Sequence, residues 1–315
     1  MENKLLWFWK LTGLHENEWN YQLSSLKNQD IIVDMGNFEE ISIESMLSEL
    51  GNVLRSTLPK IKIYTRKYHG DDSLFDTSAL QSAAQPKTMF QVASNFNCME
   101  VGSIINNPFD GRYLSDLMVD YTQGPSASAG AGHGAILRLS KHFNNPIDLL
   151  KDTPLKHTNG KLWISNVKTN FDINKIKIGL HTNVKASYCR TPKYKVNMNG
   201  PIIDQVYTST CICSKRLNES DINKCEFLLT AAYTGTYLAA IKQQSEKLVL
   251  TFIGGGVFNN PIDLIVNVIC KVHKKYGKYM NEKCEVIIPI YDPKQSNVVE
   301  KFQELKDIIE IINVE

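Results

Sequence analysis

The sequence predicts an α/β protein in which a central sheet is covered by helices on both faces. Three observations predict it. Leu248–Ile253 (LVLTFI) is a continuous apolar and β-branched run of strand length, as suits a central strand buried on both sides. Met89–Ser94 (MFQVAS) is a second run of this kind. Around them, Asp221–Lys242 and Pro261–Tyr276 have helical periodicity, so strand and helix alternate. With 315 residues and 43% hydrophobic content, the chain can bury a substantial core.

In chain order, residues 1–60 read as an N-terminal helical and aromatic extension packed on a main domain of residues 61–315. Trp7, Phe8, Trp9, Trp19 and Tyr21 read as core rather than ligand platform, because large aromatics dominate core burial. Between Ile41 and Leu54 apolar residues recur at three and four, predicting a helix. Lys60–Tyr68 alternates as a strand, and the polar run His69–Pro86 reads as a surface connection. Met89–Ser94 ends in Asn95, at the strand end where open α/β sheets bind ligands. Asn95 either hydrogen-bonds a ribose or amide there, or closes its own turn. Asp110, Asp116 and Asp120 follow. Asp110 precedes Gly111 and Asp120 precedes a glycine-rich segment, positions that also suit solvated turns.

Gln123–Leu139 contains Gly124, Gly130, Gly132 and Gly134 and is a candidate phosphate loop leading into a helix at Ala135. It has neither the GxxxxGK[ST] nor the GxGxxG spacing, and His133 reads as a helix-start residue. The hexapeptide FNNPID occurs at Phe143–Asp148 and at Phe258–Asp263, with the cap, proline and aspartate of a helix start. From Lys161 to Val206 the chain looks irregular, with short strands at Leu162–Ser165 and Ile176–Leu180. Tyr188, Arg190 and Tyr194 belong there to a pocket rim or to a plain loop. Gln205–Cys213 and Cys284–Ile290 read as strands, and Asn297–Ile309 as an amphipathic helix.

After Leu248–Ile253 come Gly254, Gly255 and Gly256, which remove every Cβ from the turn and admit a ligand to the amides. Asn260 suits a cap, Pro261 the first helical position and Asp263 the first turn. Strand, glycine turn and helix N-terminus together suit an anion, or else make a tight turn without a ligand. The net charge of +2 offers no long-range attraction to nucleic acid or an anionic membrane, so an anionic ligand must be held locally. Seven cysteines, an odd number and several in apolar segments, point to a reducing, cytoplasmic compartment. No CxxC or HExxH is present and Cys211 and Cys213 alternate in a strand-like run, so no metal site is expected and the thiols are expected to be inert. No apolar run reaches spanning length, and LLWFW is too short for a signal-peptide core.

Set together, FQVASNFN, DYTQGPSASAGAGHGAI, QVYTSTC, the alanine-rich helix after it and LTFIGGGVFNNP resemble a macrodomain, and more narrowly the MavL-like branch related to poly(ADP-ribose) glycohydrolases. The resemblance covers about Thr88 to Tyr276. It implies a three-layer α/β/α sandwich with a mixed sheet, and an ADP-ribose diphosphate clasped between two glycine segments. Those segments are Thr122, Gln123, Gly124, Gly130 and Gly132 on one side and Gly254, Gly255, Gly256, Val257, Phe258 and Asn259 on the other. Asn95 would line the ribose end, and Asp110 and Asp120 would supply catalytic carboxylates. The chain departs from the pattern at Tyr121, Ser126 and Ala127, and Asn259 and Asn260 stand where the glycohydrolases have two adjacent glutamates. The implied activity is an ADP-ribosylhydrolase acting on mono-ADP-ribose without cofactor or metal, with a non-catalytic ADP-ribose reader as the alternative. Nucleic acid enters only as an ADP-ribosylated acceptor.

Overall fold

The computed structural model describes residues 8–27, 30–52, 54–68, 73–100, 113–190 and 195–314. Its central sheet contains β1 (Asn37–Ser42), β2 (Ile61–Arg66), β3 (Thr88–Ala93), β5 (Lys177–Lys185), β8 (Ile202–Thr208), β10 (Lys247–Val249), β11 (Glu285–Pro289) and β12 (Ile309–Val314). Short ladders pair β4 (Leu162–Trp163) with β9 (Cys211–Ile212), and β6 (Tyr188–Cys189) with β7 (Lys195–Val196). The order in the large sheet is β1-β5-β8-β3-β10-β11-β2-β12. From β8 to β12 all neighbours are parallel, while β5 runs against both β8 and β1, so the sheet is mixed.

The helices are α1 (8–12), α2 (Asp30–Asp34), α3 (Ile43–Ser48), α4 (Thr77–Ser82), α5 (Tyr113–Val119), α6 (Gln123–Gly130), α7 (Gly132–Asn144), α8 (Glu219–Lys242) and α9 (Ile262–Tyr276). Successive strand residues point to opposite faces. Met89 accordingly joins the core that includes Leu228, Leu238, Ile265 and Ile269 of α8 and α9, while Phe90 joins Val249, Ile203 and Ala131 beside Leu80 of α4. Helices cover both faces. Among the described residues no helix is long and apolar enough to cross a membrane.

Several local expectations change in the folded chain. Of the helix expected over 41–54 only α3 forms, because the residues before it pair with β5 (Phe38 opposite His181) and Ser42 Oγ then caps by accepting from Ser45 N at 3.1 Å. A boundary at residue 60 therefore divides one sheet. The core also continues across it, since Phe8, Trp19 and Tyr21 are buried with Leu180 and Tyr207; Trp7 and Tyr194 lie outside the described residues. The strand Ile176–Leu180 extends to a nine-residue β5. The run His69–Pro86 contains α4, capped by Asp76, which accepts from Ala79 N at 3.1 Å. Asn218, not Asp221, caps α8, in a reciprocal capping box with Asp221. The segment 297–309 forms 3-10 turns rather than an amphipathic α-helix, and Ile309–Val314 adds an edge strand along β2.

The glycine-rich segment after Asp120 is not a loop. It forms α6 and α7, and its small residues let the helices approach their neighbours: a Cβ on Gly134 would lie 2.7 Å from His181 and Val184 of β5. The two FNNPID copies also part ways. The second leads into α9, whereas the first ends α7 at Asn144 and continues without regular structure.

Candidate functional site

β3 and β10 are paired only over Thr88–Phe90 and Lys247–Val249, after which their carboxyl ends diverge. Two glutamines fill the gap in the ladder. Gln91 Oε1 accepts from Thr251 N at 3.1 Å. Gln123 Oε1 accepts from Ala93 N at 2.7 Å, and its Nε2 donates to Gln91 O at 2.9 Å. The divergence opens a cavity of about 440 Å³ at the carboxyl edge of the sheet, where parallel α/β sheets place ligands. Its walls are residues 93–95 and Glu100 after β3, residues 120–126 at the start of α6, the turn 249–258, residues 75–77 before α4, and Lys161, Arg190, Thr210 and Tyr291.

The glycine turn is held from below. Gly254 has a φ of +73°, and a Cβ there would meet Thr210 Cγ2 at 2.4 Å and Asn260 Nδ2 at 2.5 Å. A Cβ on Gly255 would lie 2.6 Å from Ile262 Cδ1, and only Gly256 has open space beside it. Asn260 does not cap α9. Pro261 takes the cap position, while Asn260 Nδ2 donates to Cys211 O at 2.9 Å and its Oδ1 accepts from Thr210 Oγ1 at 3.3 Å. Hydrogen bonds from Gly255 N to Phe252 O (3.0 Å), Asn259 N to Gly256 O (2.9 Å) and Asn260 N to Gly254 O (2.9 Å) close the turn. Among the described residues, the N–H groups of Gly254, Gly256, Val257 and Phe258 have no protein acceptor.

A second set of free donors stands at α6. Thr122 occupies the cap position without capping, since its Oγ1 donates to Asp120 Oδ1 at 2.7 Å. The N–H groups of Gln123 and Gly124 have no acceptor among the described residues, and the helix dipole adds positive potential at this end. Gly124 is required by close approach: a Cβ would lie 2.1 Å from Ala93 O and 2.8 Å from Glu100 Oε2.

Among the described residues four acidic ones line the cavity: Glu100, Asp120, Asp76 and Asp292. Glu100 is buried, Ser94 Oγ donates to its Oε1 at 2.5 Å, and burial pushes its pKa up to about 7 against the lowering effects of Ser94 and the Arg138 charge. Asp120 is exposed; its Oδ1 accepts from Thr122 N at 2.9 Å and its carbonyl from Arg190 Nη1 at 3.2 Å. Asp76 is buried and ion-paired with Arg190, whose guanidinium lies 4.3 Å from the centre of the Tyr121 ring.

The cavity thus gathers Asn95, Asp120, Thr122, Gln123, Gly124, Gly254, Gly255, Gly256, Val257 and Phe258 from three separate stretches of chain. Within it, Asn95 Nδ2 is engaged by Met99 O at 2.5 Å and the Gln123 side chain by β3. Gly130, Gly132 and Asn259 are not in its lining. Because their segment is helical, Gly130 instead makes room for Gln81, 2.0 Å from where a Cβ would stand, and Gly132 begins α7. Asn259 Nδ2 donates to Ser214 O at 3.2 Å. Asp110 lies outside the described residues. His133 is buried near the start of α7, and burial lowers its pKa to about 4. Arg190 takes its place at the rim. Glu100 and Asp76 were not legible as site residues, although Asp76 carried a signal in its capping position before Thr77–Ser82. Although the sequence gives no expectation of a metal site, the sulfur atoms of Cys211, Cys213 and Cys225 all lie within 4.8 Å of one another.

No family model matches the sequence, and no curated protein matches it. Solved structures match its fold. One is poly(ADP-ribose) glycohydrolase from Thermomonospora curvata, with a TM-score of 0.56 and 13% identity over 88% of this chain and 90% of that one. Another is that enzyme bound to the inhibitor ADP-HPD, with a TM-score of 0.52 and 14% identity over 89% of each chain. A third is poly(ADP-ribose) glycohydrolase from Deinococcus radiodurans in complex with ADP-ribose, with a TM-score of 0.51 and 11% identity over 90% of this chain and 99% of that one. The fold is therefore the macrodomain-like α/β fold of the poly(ADP-ribose) glycohydrolases.

Proposed function

We propose that the protein is an ADP-ribosylhydrolase that removes mono-ADP-ribose from a modified protein or other acceptor. One observation carries the reading: free backbone donors at the 254–258 turn and at the start of α6 border one cavity that also holds the buried carboxyl of Glu100. Converging N–H groups suit a diphosphate, and hydrogen bonds to a charged group contribute roughly 1.5 to 3 kcal/mol each. A few of them support binding on the order of micromolar. Phe252 and Val257 offer apolar wall to the nucleobase. The complex of the Deinococcus enzyme with ADP-ribose, on the same fold, supports this choice of ligand.

Cleavage at ribose C1″ builds positive charge on the sugar, which a carboxylate stabilises while another group orients or deprotonates water. Asp120 and Asp110 are the carboxylates proposed for the first role, and Glu100 joins them as the group that exchanges a proton near neutrality. Asn259 and Asn260 occupy the place of the paired glutamates and have their side chains tied to neighbouring backbone, which favours mono-ADP-ribose over the polymer. Neither step requires a cofactor.

The test is incubation with a mono-ADP-ribosylated protein. Wild type releases free ADP-ribose, and Asp110→Ala and Asp120→Ala each slow release about a hundredfold, the range for lost acid-base help. Gly256→Glu places a carboxylate beside the open face of the turn and abolishes the rise in melting temperature with ADP-ribose. Gly255→Glu is the wrong probe, because its side chain would strike Ile262. Capture of the modified protein without release makes the chain a reader, and absence of any ADP-ribose binding removes both readings.

A further inference from the structure

Behind the glycine turn, Cys211 and Cys213 stand two residues apart on and just after β9, so their side chains share a face, and Cys225 meets them from the second turn of α8. The Cys213 and Cys225 sulfurs are 3.1 Å apart and those of Cys211 and Cys225 3.9 Å apart. All three are buried. We propose that these three cysteines form a binding site for a thiophilic divalent cation, Zn²⁺ in the first instance, held by three thiolates with water as the fourth ligand.

The geometry suits an ion better than a disulfide. Zinc–sulfur bonds of about 2.3 Å place the sulfurs of a tetrahedral site about 3.8 Å apart, close to what this cluster already provides. A disulfide would use only two sulfurs and leave the third idle, after closing to about 2.05 Å. The proton balance also fits. A bound Zn²⁺ displaces the S–H protons, which pass to solvent, and leaves three thiolates on the metal. Asp221, one turn before Cys225 on α8, adds negative charge felt by both Cys213 and Cys225.

The site is mechanically joined to the cavity. Cys213 N donates to Phe258 O at 2.9 Å, and Cys211 O accepts from Asn260 Nδ2 at 2.9 Å. An ion on the three sulfurs braces the 254–258 turn from behind. The site does not depend on what the cavity binds.

The experiment uses the full chain, reduced and stripped with chelator, titrated with Zn²⁺ against a chromophoric competitor and with Co²⁺ as a spectroscopic probe. One equivalent binds per chain with release of protons, Co²⁺ gives a thiolate-to-metal charge-transfer band, and Zn²⁺ raises the melting temperature. Cys213→Ser and Cys225→Ser each weaken Zn²⁺ binding about a hundredfold or more, beyond what lost outer-shell contacts give, while Cys98→Ser and Cys270→Ser do not. Cys213→Ser, at the edge of the cluster, serves if Cys225→Ser fails to fold. Absence of stoichiometric binding, a cobalt spectrum without the charge-transfer band, or unchanged affinity in Cys213→Ser overturns the proposal. So does a Cys213–Cys225 disulfide that forms under mild oxidant as fast with Zn²⁺ as without it.

Discussion

Glu100 is pulled in two directions. Burial favours its neutral form, the Ser94 hydroxyl and the Arg138 charge favour the carboxylate, and burial prevails, leaving a pKa of about 7. A group that changes charge at the working pH is suited to accept a proton from water and return it. To act as that base it must be ionised, so hydrolysis should rise with pH through about 7 and level off above it. Glu100→Gln keeps the size and the bond to Ser94 but loses the proton exchange. It should lower turnover about a hundredfold and remove that limb of the pH–rate profile, while the ADP-ribose thermal shift persists. An unchanged limb in the variant would take Glu100 out of the chemistry.

At the scale of elements, the cavity exists because β3 and β10 separate, and the separation is stabilised by a side chain acting as a missing strand. Gln123 satisfies Ala93 N and Gln91 O together. Gln123→Ala leaves both backbone groups unpaired near the core, and unfolding in urea should register a loss of about 1 to 3 kcal/mol. Thr122→Ala should have less effect, since Thr122 holds Asp120 and caps nothing. Equal losses in the two variants would mean that Gln123 is not the brace.

For the whole molecule, the N-terminal residues are tied to the far helices by a buried acid. Glu16 accepts from Leu114 N at 2.7 Å and Ser115 N at 3.3 Å, and burial pushes its pKa up to about 7. Glu16 and Glu100 are therefore both raised above their ordinary value of 4.5. A carboxyl whose folded pKa exceeds its unfolded one contributes stability that is complete below the unfolded value and is lost as pH rises through the folded one. The melting temperature should accordingly fall between about pH 5 and pH 8, with Glu16→Gln and Glu100→Gln each flattening part of the slope. A slope unaltered in both variants would assign the pH dependence to other groups.

By itself the sequence determined what neighbouring residues decide together: the buried run that became β3, the run Leu248–Ile253 of which β10 keeps only Leu248 and Val249, the glycine turn after it, and the periodicity of α8 and α9. It also brought out Asp120, the start of α6 and the glycine turn that border the cavity, because a strand end, a turn and a helix start each leave a local signature. What the tertiary structure alone decided depends on partners far away in the chain. One FNNPID copy opens a helix and the other follows one, since the identical hexapeptides meet different surroundings. The glycines from 124 to 134 read as a loop, but helices close against Ala93, Gln81 and β5 need the same small residues. Glu100 gained its shifted pKa only through burial in the folded cavity, and Cys225 met Cys211 and Cys213 only once α8 packed beside β9, because burial and proximity are properties of the packed chain and not of sequence spacing.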